Sequence, residues 1–175
     1  MPINNKIKFI AINIVLITIS DTRKEKDDKS GKILEKKIIG LGHNVSSKII
    51  IKDNFSLIKK TILNFANKKS VDAIITTGGT GLTGRDSTPE ALEKISDKLI
   101  EGFGELFRQI SFSKIGTSTI QSRAMGAVVK GTYVFSLPGS PNACKDAWDE
   151  ILKYQLDIRH KPCNFVEIMS RLNEK

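Results

Sequence analysis

The chain has 175 residues, of which 39% are hydrophobic and 27% charged. This composition is typical of a folded globular protein and excludes a disordered or collagen-like chain. We therefore expect a single domain over residues 1–175, with a core from about residue 9 to residue 165 and flexible ends.

The formal net charge is +9, from 28 basic and 19 acidic residues. Only six of the basic residues are arginines, and one tryptophan and two tyrosines leave few rings to stack on bases. A nucleic-acid-binding module is thus a hypothesis that rests on net charge alone, and we expect no nucleic-acid partner. A basic surface also suits an anionic small molecule.

The longest apolar stretch, residues 9–19, is shorter than the roughly 20 residues that span a bilayer, and no small-residue cleavage site follows it. Cys144 and Cys163 match no zinc pattern and cannot form a disulfide framework. His43 and His160 belong to no motif and are predicted to lie at the surface or at helix ends. We expect a cytoplasmic protein with no membrane association and two reduced cysteines.

Apolar, β-branched runs alternate with amphipathic segments along the chain. The predicted strands are residues 9–20, 45–52, 71–77 and 133–137. Because strands joined through helices lie parallel and carry the helices on both faces, the pattern predicts an α/β fold. The expected architecture is three-layer α/β/α with a mostly parallel central sheet.

Two helices carry more specific expectations. Ser30 is predicted to cap a helix over residues 31–39, and Asp27 and Asp28 are predicted to lie on a solvated, lysine-rich loop. The apolar stripe of residues 103–110 indicates a further helix, whose apolar side could face either the core or an interface.

Four polar loops each follow a predicted strand, at residues 20–22, 52–54, 77–88 and 137–142. Parallel crossovers place all such loops at the carboxyl edge of the sheet, where open α/β sheets bind ligands. The candidate ligand-binding residues on the loops are Ser20, Asp21, Gly78, Gly79, Thr80, Gly81, Pro138, Gly139, Ser140 and Asn142.

The glycine-rich loop can present bare amide groups to an anion, although it matches neither the Walker nor the Rossmann spacing. The segment at residues 138–142 opens a helix and predicts a phosphate site beside the positive end of the helix dipole. The alternatives are an ordinary turn for the first loop and a helix cap without a ligand for the second.

Asp53 and Asp86 each lie just beyond a predicted strand. Two carboxylates beside phosphate-binding loops are what Mg²⁺ requires, because this ion takes one or two carboxylates together with substrate phosphates. Alternatively, Asp53 is a helix cap, and Asp86 pairs with Arg85 or with the loop backbone.

Two further polar features have open interpretations. Asp21 could orient a sugar hydroxyl or simply close its loop. Ser122 and Arg123 are further candidate ligand-binding residues, and Arg123 could clamp an anion or pair with a surface acid.

The ordered motifs together resemble the molybdopterin-binding domain of the MoaB/Mog family. The segments that carry the resemblance are residues 16–22, 29–31, 77–81, 85–91, 102–105, 115–118, 122–124 and 137–141. The resemblance covers about residues 9–165, and residues 122–124 and 161–165 are most similar to the MoaB branch.

The resemblance implies a role in molybdenum cofactor biosynthesis, in which active members adenylylate molybdopterin with Mg·ATP and release pyrophosphate. Carried onto this sequence, Asp53 and Asp86 would be the catalytic and Mg²⁺-binding residues, and the two loops would hold the substrate phosphates. A trimer or hexamer is implied, with other cofactor-biosynthesis proteins as further partners.

Relatives often have a second acid where this chain has Asn54, so metal binding could be weaker, or Asn54 could only cap the helix. The alternative function is a non-catalytic molybdopterin-binding or scaffold protein.

Overall fold

The computed structural model describes residues 3–174. The strands are β1 (Asn13–Ile19), β2 (Asn44–Ile51), β3 (Ala73–Thr77), β4 (Lys98–Ile100), β5 (Met125–Val129) and β6 (Thr132–Leu137). They form one six-stranded sheet in the order β2-β1-β3-β6-β5-β4. The first four strands in this order are parallel, whereas β5 and β4 are antiparallel to their neighbours.

The helices are α1 (Lys29–Leu41), α2 (Phe55–Ala66), α3 (Thr88–Ile95), α4 (Glu101–Ile115), α5 (Pro141–Ala147), α6 (Lys153–Gln155) and α7 (Phe165–Ile168). A π-helical segment, Trp148–Leu152, joins α5 to α6. Short 3₁₀ turns occur at Glu25–Asp27, Gly116–Gln121 and Met169–Arg171.

Helices cover both faces of the sheet because the buried strands are apolar on both sides. Alternate residues of β1 separate into the two cores: Ile14 and Leu16 face α1, α4 and α5, while Val15 and Ile17 face α2 and α3. The predicted three-layer α/β/α class with a mostly parallel sheet is therefore confirmed. The antiparallel pair β4–β5 is an addition that the sequence patterns did not indicate.

The strand order reverses at β1, because β2 and β3 lie on opposite sides of this strand. From β1 it passes outward to β2 and then returns to β3 on the other side of β1. The loops after β1 and β3 consequently leave the sheet in opposite directions and open a crevice between them. This is the position where doubly wound sheets bind ligands.

The start of α1 differs from the sequence prediction. Asp28, not Ser30, is the N-cap, because its carboxylate accepts a hydrogen bond of 3.0 Å from the Gly31 amide. Asp28 is fully buried rather than solvated, and Ser30 lies within the first turn. Burial of this carboxylate is possible because Thr18 Oγ1 also donates to it at 2.9 Å.

Both histidines are buried, so the surface alternative is wrong, but His43 follows the C-terminus of α1, as the helix-end alternative predicts. His43 lies just after α1, packs between Phe9 and Trp148, and accepts a hydrogen bond from the Ile12 amide through Nδ1. His160 packs against Tyr154.

The chain ends make tertiary contacts within the described residues. Ile3 forms a β-bridge with His160, and the Tyr133 hydroxyl donates to the Phe165 carbonyl at 3.0 Å. The extreme end residues, for which flexibility was also predicted, lie outside residues 3–174. Across residues 3–174, no helix is both long enough and apolar enough to cross a membrane.

Candidate functional site

A cavity of about 650 Å³ opens at the carboxyl edge of the sheet, between the loops that follow β1, β2, β3 and β6. Most of the residues predicted from sequence line it. They are Ser20, Asp21, Asp53, Gly78, Gly79, Thr80, Gly81, Asp86, Ser122, Pro138, Gly139 and Ser140. Arg123 and Asn142 are not among the lining residues.

The glycine loop after β3 requires glycine for steric reasons. Gly78 and Gly79 have φ values of +105° and +65°, in the region that L-residues rarely adopt. A Cβ on Gly79 would lie 2.2 Å from Thr88 Oγ1 and 2.7 Å from Asp53 Oδ2. The backbone therefore approaches both the start of α3 and the Asp53 carboxylate.

Arg123 supports this loop from outside the cavity. Its guanidinium donates to the carbonyls of Thr80, Gly81 and Asp86 at 3.2, 2.6 and 3.0 Å, and it forms an ion pair with Glu90. Of the two interpretations left open for Arg123, the structure contains the pair with an acid. Three further bonds to carbonyls fix the course of the loop.

Asp53 faces the cavity because Asn54 takes over the capping of α2. The Asn54 side chain accepts from the Leu57 amide at 3.0 Å, while Asp53 Oδ1 accepts from the amide and hydroxyl of Ser87 at 3.4 and 3.2 Å. Desolvation raises the pKa of Asp53 above its usual value, the Ser87 bonds oppose that shift, and the nearby charges of Asp86 and Asp21 reinforce it.

Asp86 has different surroundings. Its Oδ2 accepts from the hydroxyl and the amide of Thr83 at 2.5 and 3.0 Å. The hydrogen bond from the Thr83 hydroxyl is the main cause of a pKa below the usual range. Asp86 thus stays ionised, and its partner is the loop itself rather than Arg85, which pairs instead with Asp21 at 2.5 Å.

The loop after β1 is tied to both neighbouring loops. Asp21 Oδ1 accepts from the Asp53 amide at 3.3 Å, and the ion pair with Arg85 joins it to the glycine loop. Ser20 Oγ accepts from the amides of Thr22 and Arg23 at 3.3 and 3.1 Å. Ser20 and Asp21 therefore organise the rim as well as lining the cavity.

The loop after β6 forms the other rim. Ser140 caps α5 by accepting from the Ala143 amide at 3.2 Å, and Thr77 Oγ1 donates to the Pro138 carbonyl at 3.0 Å. Arg23 donates to the Gly139 carbonyl at 2.7 Å. Asn142 is exposed on the first turn of α5, away from the cavity lining.

Several lining residues were missed by sequence reasoning. One wall consists of Phe107, Ser111 and Ile115 from α4, so an apolar surface faces the polar loops. Phe103 and Phe107 are core residues, as one of the two interpretations of this helix predicts, whereas Leu106 is exposed. Only the helical stripe could have indicated this wall.

A crevice at the switch point of a doubly wound sheet, lined by glycine-containing turns and carboxylates, defines a doubly wound α/β protein with its candidate ligand site at the carboxyl edge of the sheet. Residues 15–158 match the family model described as a probable molybdopterin binding domain, and the chain belongs to this family.

Two curated relatives are similar over most of their length. The molybdenum cofactor biosynthesis protein B of Escherichia coli K12 is 45% identical over 90% of this chain and 93% of its own. A probable molybdopterin adenylyltransferase of Methanocaldococcus jannaschii is 41% identical over 78% of this chain and 85% of its own.

Solved structures agree with this assignment. A crystal structure of molybdenum cofactor biosynthesis protein B superimposes with a TM-score of 0.85 at 39% identity, over 95% of this chain and 98% of that one. The tungsten cofactor synthesizing protein MoaB from Pyrococcus furiosus gives a TM-score of 0.77 at 32% identity, over 94% and 98% of the two chains.

Proposed function

We propose that this protein takes part in molybdenum cofactor biosynthesis, as an enzyme that binds molybdopterin and adenylylates it with Mg·ATP. The observation that carries the proposal is the convergence of Asp53, Asp86, the glycine loop and the loop after β6 on one cavity. Relatives named cofactor biosynthesis protein B and probable molybdopterin adenylyltransferase support the same reaction.

In this reaction the terminal phosphate oxygen of molybdopterin attacks the α-phosphorus of ATP. A new phosphorus–oxygen bond forms, the bond between the α-phosphorus and its bridging oxygen breaks, and pyrophosphate leaves. Such a transfer needs positioning and charge neutralisation rather than a side-chain nucleophile. Amide-rich loops and two carboxylates fit this requirement.

Asp53 and Asp86 would hold the magnesium ion. Carboxylate oxygens are the ligands that Mg²⁺ prefers. Burial is the main cause of the raised pKa of Asp53, the charges of Asp86 and Asp21 add to it, and a bound cation would favour the ionised carboxylate. No group of three or more acidic, histidine or cysteine side chains suited to a metal occurs within residues 3–174. The ion would therefore complete its coordination with nucleotide phosphates, and there it would neutralise phosphate charge.

The decisive experiment incubates the purified protein with molybdopterin, ATP and Mg²⁺ and measures adenylyl-molybdopterin and pyrophosphate. We expect equal amounts of both products. Molybdopterin binding without pyrophosphate release would instead establish the alternative, a non-catalytic binding or scaffold protein of the same pathway.

We also propose that the chain acts as one domain and assembles into a homo-oligomer, a trimer or hexamer. Three large side chains at the end of α4 and just beyond it are exposed: Phe112 by 59%, Ile115 by 57% and Ile120 by 81%. Contiguous exposed apolar surface marks contact sites between proteins. Size-exclusion chromatography with light scattering should give a molar mass of three or six times that of one chain. Ile120→Lys should lower this molar mass.

A further inference from the structure

Arg23 connects two sides of the candidate site that are far apart in sequence. Its guanidinium donates to Ser30 Oγ in α1 at 2.8 Å and to the carbonyl of Gly139 at 2.7 Å. The donor and the second acceptor are 116 positions apart along the chain. Arg23 also lines the cavity, although no motif of the sequence pointed to it.

Ser30 in turn is held by a buried carboxylate. Its hydroxyl donates to Asp28 Oδ1 at 3.4 Å, and the same carboxylate accepts from Gly31 N at 3.0 Å and from Thr18 Oγ1, on β1, at 2.9 Å. Asp28 and Ser30 are both fully buried. A Cβ on Gly31 would lie 2.0 Å from Asp28 Oδ2, so this glycine leaves the space that the carboxylate occupies.

A continuous chain of hydrogen bonds thus runs from strand β1 through Asp28, Ser30 and Arg23 to Gly139. A bond from a charged donor is stronger than a neutral one, and a planar guanidinium can serve two acceptors in a fixed geometry. In the loop after β6, Arg23 holds the Gly139 carbonyl, and Thr77 Oγ1 holds the neighbouring Pro138 carbonyl. The bond from Arg23 therefore contributes to fixing the orientation of the Gly139 peptide group.

We propose that Arg23 is a positioning residue for the substrate phosphates, acting through the Gly139 peptide and anchored by Asp28 and Ser30. This inference rests on the proposed function for its effect on turnover. Its structural half, that Arg23 orders the loop over residues 138–142, can be tested without any reaction.

The first test measures amide hydrogen exchange of the wild type and of Arg23→Gln, Arg23→Lys and Ser30→Ala. We expect amide exchange at residues 139, 140, 142 and 143, of which the Ala143 amide bonds to Ser140 Oγ, to be about tenfold faster in Arg23→Gln and in Ser30→Ala, with the rest of the chain unchanged. Arg23→Lys keeps the charge but loses the planar fork, so it should resemble Arg23→Gln. Arg171→Gln is the matched control, because Arg171 is exposed and forms an ion pair with Glu174, away from the cavity.

The second test compares KM and kcat for adenylyl transfer in the same variants. Loss of positioning should raise the KM of a phosphate-bearing substrate about tenfold while the thermal midpoint stays near that of the wild type. The proposal would be overturned if the amide exchange rate of the loop after β6 were unchanged in Arg23→Gln and Ser30→Ala. It would also be overturned if Arg23→Lys had the wild-type exchange rate in this loop. If the loop loosens but the wild type releases no pyrophosphate, the positioning role stands and the proposed function fails.

Discussion

The Asp53 carboxylate accepts hydrogen bonds from the amide and the hydroxyl of Ser87, 34 residues further along the chain. This contact brings the loop after β2 against the end of the glycine loop, where Asp86 is the neighbouring residue. Two acidic side chains from separate loops therefore line one cavity.

Replacing Gly79 by alanine should destabilise the protein, whereas replacing Gly84, in the same loop, should not. Gly79 has a φ of +65° and no room for a Cβ, while a Cβ on Gly84 would have no neighbour within 4 Å. Gly79→Ala should cost about 1–3 kcal/mol of unfolding free energy, and Gly84→Ala should cost little. Denaturant titration of both variants checks this difference, and equal effects would contradict it.

Asp53→Asn should leave the free protein as stable as the wild type, or raise its melting temperature. The reason is that burial and the charges of Asp86 and Asp21 already disfavour the ionised carboxylate. Added Mg²⁺ should increase the ATP affinity of the variant about tenfold less than it increases that of the wild type. Calorimetry with and without the ion checks this, using Asn54→Ser as a control that keeps a cap on α2. If Mg²⁺ increases the ATP affinity of Asp53→Asn as much as that of the wild type, Asp53 does not bind the metal.

The sequence predicts the parts of the site that depend on residues close together in the chain, but not those that depend on contacts between distant residues. Strand patterns and loop glycines are local, so they placed Asp53, Asp86 and the glycine loop at one edge. The capping role of Asp28 could not be foreseen, because it depends on Thr18 and on a site that buries the carboxylate. Arg23 was missed for the same reason, since its acceptor Gly139 is adjacent only in the folded chain.

His43 should make the protein sensitive to acid. Burial lowers its pKa from 6.5 to about 4, so the unfolded chain takes up a proton at a higher pH than the folded chain. Stability should therefore fall as the pH drops from 6.5 to about 4, by up to roughly 3 kcal/mol. Unfolding free energies across this range should vary less in His43→Gln; an equally steep slope would contradict the assignment.

Asp157 also contributes to the loss of unfolding free energy at acid pH, but it does so mainly at a lower pH than His43. Burial alone would raise the pKa of Asp157, but its bonds with Arg159 lower that pKa below the usual 3.8. Most of the stability from Asp157 is therefore lost as the pH falls below 3.8, at the acid end of the window assigned to His43 and beyond it.

The two thiols should react at very different rates. Cys144 is buried, its Sγ lies 3.1 Å from Thr77 Oγ1, and burial raises its pKa to about 11, whereas Cys163 is exposed. A chromogenic disulfide at pH 8 should modify one thiol quickly in the folded protein and both after denaturation. Cys163→Ser should abolish the fast phase, and a fast phase that persists would place Cys144 at the surface.

Asp86→Asn tests the central claim most directly, through the rate of pyrophosphate release with saturating molybdopterin and Mg·ATP. Because Asp86 also orders its loop through Thr83, Thr83→Val serves as the control for loss of the hydroxyl bond, while the bond from the residue 83 amide is kept. We predict that Asp86→Asn lowers the rate at least about a hundredfold with an unchanged fold, and that Thr83→Val lowers it far less. Normal turnover by Asp86→Asn would contradict the assigned role.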